Sequence, residues 1–475
     1  RSPLFPAPLN ALSHDPDDIP WPPTTGRPYV RKWSHDVPSR HTHRSRTMST
    51  PSIVHRSRAA AWTSFAAALL ALAPTVHSAG SALPKRSVYS GPSSRAPELL
   101  RDCPPPTSYR DAPTIRIAIC LDTSGSMEGL LNQARTRLWD LVNFCSTAKF
   151  HGAEPVLQVA LFQYGSDQLP ASEGYMRCVQ PFTTDLDLVS QRLFELTISG
   201  SSEYCGMVLD KAAKELDWSG AWRPVPVGSI GPSRRLPSYA TLVIAGNEEF
   251  TQGSVDYQKP VIALQSLGVY VNTIYCGAYG EGEKSGWLNA AYLNGGSYSN
   301  IDQDERREYI RCPQDERLLT LNSELNRTYL AYSSAGAAGA ARQAAQDESN
   351  LAASPETGVQ RIATKAGAQY RNASWDLLDA LDDNSVRLET IRTEDLPEDM
   401  RPMTLDQRRA YVEQLRAERR RIKDEIQRLT KEREAFLRDK HKHRPRGKTL
   451  DSALIQAIRT QAQTVGFTFP PPSPD

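Results

Sequence analysis

The sequence predicts an α/β fold, a mostly parallel, doubly wound sheet, followed by a long helical, coiled-coil-like C-terminal segment. Three observations carry this. Strand-like apolar runs alternate with helix-period stretches from residue 115 to 326, the first strand runs straight into Asp122-Thr123-Ser124-Gly125-Ser126, and Leu415, Ile422, Leu429 and Phe436 recur every seven residues near the C-terminus. The first strand is the apolar run 115–121. The helix after it (127–150) places Leu130, Leu131, Ala134, Leu138, Leu141 and Val142 on one stripe. Further strands are expected at 156–164, 240–245 and 269–276, and helices at 186–196, 204–218, 255–267 and 316–326, with a last short strand at 328–332. Right-handed crossovers then gather the loops that follow the strands at one rim: 122–126, 199–203 and 246–248.

Asp122, Ser124 and Ser126 sit at alternate positions on the strand-to-helix loop. One carboxylate and two hydroxyls so spaced project oxygens to one point, which suits a hard cation, Mg²⁺ or else Mn²⁺ or Ca²⁺. The competing reading makes Asp122 a helix cap, with the serines satisfying loop amides. Ser201, Ser202, Glu203, Asn247 and Glu248 reach the same rim and complete the candidate ligand set. For Glu203 the alternative is a helix-start carboxylate favoured by the macrodipole. No histidine lies in the three rim loops, and Glu248 alone is available as a base. A metal-dependent hydrolase therefore lacks its acid/base pair, and the chain is read as a binding protein, not an enzyme.

The Asp-x-Ser-x-Ser loop resembles the metal-ion-dependent adhesion site of von Willebrand factor A (VWA) domains, a resemblance covering about residues 112–333. Glu-Tyr-Cys-Gly at 203–206, the stretch Ala-Gly-Asn-Glu-Glu-Phe-Thr-Gln-Gly at 245–253 and Asn-Thr-Ile-Tyr-Cys-Gly at 272–277 resemble exported bacterial VWA proteins. The resemblance implies recognition of a protein or surface ligand whose carboxylate completes the shell of a bound cation. Two loops depart from the family pattern. Gly200-Ser201-Ser202-Glu203 offers serines and a carboxylate in place of a threonine. Gly246 stands where an aspartate usually follows the strand, so Asn247 or Glu248 must substitute. A structural protein with a degenerate metal site is the remaining alternative.

With 475 residues and a net charge of +2, the chain does not have the charge balance of a dedicated nucleic-acid binder. Its 35 prolines cluster before residue 114 and after 469, marking tails. Residues 1–47 are expected to be a non-native or disordered extension. Residues 48–78 read as a secretory signal: Met48, basic His55, Arg56 and Arg58, an apolar run at 59–76, then small residues before Ala79. The chain is thus expected to be exported, whether secreted, periplasmic or on the cell surface, with a membrane anchor at 59–76 as the competing reading. Residues 79–111 form a linker. The seven cysteines include no Cys-x-x-Cys pair and so no zinc site. Cys120 and Cys145 are expected to be buried. Cys205 and Cys276, placed at one rim, form either a disulfide or two separate buried thiols.

Residues 334–403 read as linker and packing helix, with Trp375, Leu378 and Leu381 at helical spacing. A basic helix is expected at 404–442, opened by a capping box at Thr404 and Gln407. Arg419 and Arg433 interrupt its seam, so the helix is expected to leave the α/β body and to self-associate weakly. Residues 408–448 hold sixteen Lys and Arg against seven Asp and Glu, which marks either a solvated face or a contact with an anionic surface. In the tail, the apolar stretch 450–458 is expected to fold back as a second short helix.

Overall fold

The computed structural model describes residues 112–219, 238–306, 309–441 and 449–471. The expected extension, signal and linker before residue 112 lie outside the described residues. The strands are β1 (Thr114–Asp122), β2 (Lys149–Phe150), β3 (Val156–Tyr164), β4 (Met176–Thr183), β5 (Ser238–Gly246), β6 (Tyr270–Cys276), β7 (Tyr298–Ile301) and β8 (Phe467–Thr468). Six of them form one sheet in the order β4-β3-β1-β5-β6-β7. All neighbours are parallel except β3 and β4, and β1 is central, in register with β3 from Thr114↔Val156 to Asp122↔Tyr164. The α/β class and its mostly parallel sheet are thus present. Two strands of this sheet escape the sequence pattern: β4 contains Pro181 and mixed polarity, which an edge strand tolerates, and β7 is four residues long; the two-residue β2 and β8, which pair with each other, escape it too. Residues 328–332 form no strand; only Ala331 bridges, to Asp376.

Two apolar cores flank the sheet. On one face, helices α1 (Glu128–Ser146) and α2 (Leu186–Glu195) pack over Ile115, Ile117, Val159 and Val243. On the other, α3 (Cys205–Glu215), α4 (Gln258–Ser266) and α6 (Trp287–Asn294), the last preceded by the short α5 (Tyr279–Lys284), cover Ala118, Phe162, Leu242 and Val271. These strands are largely buried on both faces, which is why they read as mostly apolar runs.

A helical layer follows: α7 (Asp315–Asn326), α8 (Gly336–Ala353), α9 (Pro355–Ala366), α10 (Leu377–Asp382), α11 (Leu405–His441) and α12 (Leu450–Thr464). A buried polar network ties it to the α/β body. Asp347 of α8 accepts from Arg361 Nε at 2.7 Å and Lys365 Nζ at 2.8 Å in α9, and from Asn326 Nδ2 at 2.8 Å in α7. Arg361 reaches on to Asp187 of α2, which also accepts from the Tyr370 hydroxyl. The two cations hold the Asp347 carboxyl well below the usual carboxylate range against its own burial.

The long helix corrects one expectation. It opens on the capping box, with Thr404 N–H donating to Gln407 Oε1 and Gln407 N–H to Thr404 Oγ1, but it does not leave the body. Of its heptad stripe, Leu415, Ile422 and Leu429 are buried inside the chain and Phe436 is half-buried. Ile422, Ile426 and Leu429 pack on Leu318, Leu321, Val359 and Ile362, while Val412 and Leu415 pack on Leu377, Leu388 and Met400. The seam arginines, which would repel across a dimer, find carboxylates in cis. Arg419 donates to Asp376 Oδ2 at 2.6 Å and Asp379 Oδ1 at 3.0 Å, and Arg433 to Asp315 Oδ1 at 2.8 Å. The stripe that self-association through 404–442 required is therefore occupied. Part of the cationic excess of this segment is likewise spent on internal pairs.

The tail helix folds back as expected but is longer, Leu450–Thr464. Helix α12 lies in the core under α1, with Leu454, Ile458 and Ala462 among the buried residues of the first face. Gln461 receives the Tyr239 hydroxyl at 2.8 Å and exchanges hydrogen bonds with Asn272, so this last helix satisfies polar groups of β5 and β6. Among the described residues, no helix is long and apolar enough to cross a membrane.

Candidate metal centre at the rim of the sheet

β1 delivers Asp122 to the C-terminal rim, fully buried, and the chain turns at once into α1. Asp122 Oδ1 accepts from its own loop, Ser124 N–H, at 2.8 Å. Backbone bonds clamp the loop to its neighbours: Thr123 N–H to Tyr164 O, Gly125 N–H to Gly200 O and Ser199 N–H to Thr123 O, each at 2.9 Å. These bonds bring the 199–203 loop against the Asp-x-Ser-x-Ser loop. Asp122 does not act as the side-chain cap of α1, whose N-terminal residue Met127 has none.

Five of the candidate residues come together. The Ser124 and Ser126 hydroxyls stand 3.5 Å apart, and Asn247 Nδ2 donates to Ser126 Oγ at 3.1 Å. Glu203 is buried, with its backbone N–H donating to Gln252 Oε1 at 2.9 Å and the nearby Ser124 hydroxyl favouring its charged form. Asp122 Oδ2, Glu203 Oε2 and Asn247 Oδ1 are buried oxygens with no hydrogen-bond partner. The other three stand further out. Ser202 bridges Gly165 through the backbone, Ser201 is exposed, and Glu248 is exposed but close enough for its charge to act on Asp122 and Glu203.

The electrostatics are those of an acid pair without a counter-charge. Burial pushes the Asp122 carboxyl up to about 8, helped by the negative charge of Glu203 and opposed by the Ser124 amide. Burial also raises Glu203, with the charge of Glu248 adding to it. Buried polar atoms are ordinarily satisfied, and two orphaned carboxylate oxygens beside two hydroxyls are donors that a cation could satisfy. Among the described residues no three His, Cys, Asp or Glu side chains converge as a metal cluster. The donor set is instead two carboxylates with hydroxyl and amide oxygens, the hard-oxygen chemistry of Mg²⁺, Mn²⁺ or Ca²⁺.

Two glycines make the room. A Cβ at Gly165, where φ is +84°, would stand 2.6 Å from Asp122 Oδ1 and 3.3 Å from Glu203 Cγ. One at Gly246 would stand 2.5 Å from the Tyr164 hydroxyl and 2.9 Å from Asp122 Oδ2. Gly246, where the VWA pattern has an aspartate, is thus part of the cradle. Gly165 was missed in the sequence, although its place directly after β3 was a usable signal.

Cys205 and Cys276 are free, buried thiols, the second of the two arrangements expected for them. The Tyr164 hydroxyl, which donates to Ala245 O at 2.9 Å, sits close to both. Burial and the nearby Asp122 charge push both thiols up.

No family model and no curated protein matches the sequence. Solved structures similar to it include the conserved hypothetical protein BatB from Bacteroides thetaiotaomicron, at 14% identity and TM-score 0.27, over 40% of this chain and 90% of that one. The SpRpn10 VWA domain matches at 13% identity and TM-score 0.25, over 40% and 88%. Proximal thread matrix protein 1 from the mussel byssus matches at 14% identity and TM-score 0.28, over 41% of this chain and 43% of its own. The fold assignment rests on the chain's own strand order and antiparallel edge: the described residues between 112 and 306 form a mostly parallel, VWA-like α/β domain, extended by C-terminal helices of which the last returns to its core.

Proposed function

We propose that this chain is a binding protein that holds one divalent cation at the rim and uses it to recognise a carboxylate on a protein or surface partner. The observation that carries the reading is the pair of buried, partnerless oxygens, Asp122 Oδ2 and Glu203 Oε2, beside the Ser124 and Ser126 hydroxyls. Asp122, Ser124, Ser126 and Glu203 would hold the cation, Mg²⁺ or else Mn²⁺ or Ca²⁺. Asn247 would turn its free Oδ1 toward it or orient Ser126, and Glu248 would act from outside through its charge. When bound, the cation supplies a Lewis-acidic point for an anionic oxygen. These residues would enclose the cation on the protein side and leave its solvent side for the ligand. The order of basic, apolar and small residues at 48–78 supports export, so the partner would be met outside the cytoplasm.

The test is thermal unfolding of the full chain with Mg²⁺, Mn²⁺, Ca²⁺ or chelator. A cation that binds the native state at a hundredfold excess over its Kd stabilises by about 2.7 kcal/mol, and Asp122→Ala is expected to remove that gain. A metal-independent melting temperature, or a gain that survives in Asp122→Ala, would overturn the reading.

A further inference from the structure

The chain is close to neutral, yet its charge is segregated. The loops around the candidate centre (123–128, 165–175, 197–204, 247–257, 277–286 and 302–306) hold twelve Asp and Glu against two basic residues, Lys284 and Arg306. Most of these acids are exposed, among them Glu128, Asp167, Glu249, Glu281 and Asp304. At their centre lie the buried, unpartnered oxygens of Asp122 and Glu203, at the ends of β1 and of the 199–203 loop. Two tyrosine pairs flank this field. Tyr175 and Tyr204 meet edge to face at 5.7 Å on the side of Glu203. Tyr279, half exposed, meets Tyr298 at 4.8 Å on the side of β7.

A carboxylate approaching the cation must cross this acidic ring, and a bare anionic segment would be repelled on the way in. Only a segment that surrounds its carboxylate with positive charge gains from both parts of the surface. The ring also disfavours nucleic acid and anionic lipid. Accessible tyrosine faces beside acids suit Lys and Arg side chains. We propose that the rim docks a protein segment in which one aspartate or glutamate is flanked by lysines and arginines, the carboxylate going to the centre and the cations to the acidic ring and the tyrosines. This rests on the cation-bridging reading above and names its partner chemistry.

Fluorescence anisotropy of the full chain with labelled peptides decides it. The probes are Gly-Lys-Lys-Asp-Lys-Lys-Gly, the same peptide with serines in place of lysines, and the lysine peptide with asparagine in place of aspartate. Each is measured with and without Mn²⁺, and Mn²⁺ alone is titrated by calorimetry. The lysine-flanked aspartate peptide is expected to bind about tenfold tighter than the serine-flanked one at low salt, the gap shrinking at high salt as screening shortens the field. The variant Glu249→Gln/Glu281→Gln/Asp304→Asn, changed only at exposed positions, is expected to weaken that peptide about threefold while leaving Mn²⁺ affinity and melting temperature in place. Equal binding of the lysine- and serine-flanked peptides overturns the proposal even if Mn²⁺ binds. With Mn²⁺ bound, asparagine binding as tightly as aspartate overturns the carboxylate part. If calorimetry shows no Mn²⁺ binding, the metal reading fails by itself, and the salt-sensitive preference for basic flanks still decides whether the acidic ring docks such segments.

Discussion

Replacing Ile458 by alanine tests whether the last helix belongs to the α/β core. Ile458 is fully buried in the cluster that contains Leu138, Leu141 and Val142 of α1 and Tyr239 and Val243 of β5, more than 200 residues away in sequence. Truncating a fully buried isoleucine removes three carbons and leaves a cavity, at a cost of about 2–5 kcal/mol. In a domain this large, each kcal/mol moves the melting temperature by about 2–4 °C, so a drop on the order of 4 to 20 °C is expected. The assay is urea denaturation and calorimetry of the full chain, with Thr460→Ala on the exposed side of the same helix as the control. The control is expected within about 0.5 kcal/mol of wild type. If Ile458→Ala also falls within that margin, α12 is a dispensable appendage and the packing described here is wrong.

Arg419→Ala leaves Asp376 buried without its guanidinium and is expected to cost about 3–5 kcal/mol, read by urea denaturation. Asp347→Ala is expected to cost a similar amount. Because the folded-state carboxyl of Asp347 lies below its unfolded value, its contribution is complete above the usual carboxylate range, about pH 4, and is lost as pH falls further. The acid limb of a stability–pH curve should therefore be shallower in Asp347→Ala, and an unchanged limb would contradict the network. Gly246→Ala, which drives a methyl toward Tyr164 and Asp122, is expected to weaken divalent-cation binding at least tenfold, measured by calorimetry, if the cradle has no slack. Cys205 and Cys276 are expected to resist alkylation in the native protein and both to label after denaturation without reductant. Labelling of neither would show a bridge.

The sheet was legible because its strands are largely buried on both faces, and β1, β3, β5 and β6 each read as a mostly apolar run broken by only one or two polar residues such as Arg116 and Gln158. β4 was not, because an edge strand interrupted by Pro181 carries no such run. The long helix was legible in extent but not in placement. A heptad of Leu415, Ile422 and Leu429 looks the same whether its partner is a second copy or α7 and α9, and only tertiary structure reveals the carboxylates opposite Arg419 and Arg433. Helix α12 was visible as an apolar stretch, but nothing local says that it returns to the first core. At the rim, the order Asp-x-Ser-x-Ser at a strand end pointed to Asp122, Ser124 and Ser126 directly. The partnership of Asp122 with Glu203 depends on the backbone bonds of 199–200 to Thr123 and Gly125, a contact between segments about 75 residues apart.

The central claim is that Asp122 and Glu203 together hold one cation. Calorimetric titration of the full chain with Mn²⁺ and Mg²⁺, alongside Glu203→Gln, tests it most directly. The account predicts one site in the wild type and a loss of at least about tenfold in affinity in Glu203→Gln, because a hard cation loses one of its two anionic ligands. Unchanged affinity in Glu203→Gln, or no binding in the wild type, would contradict it.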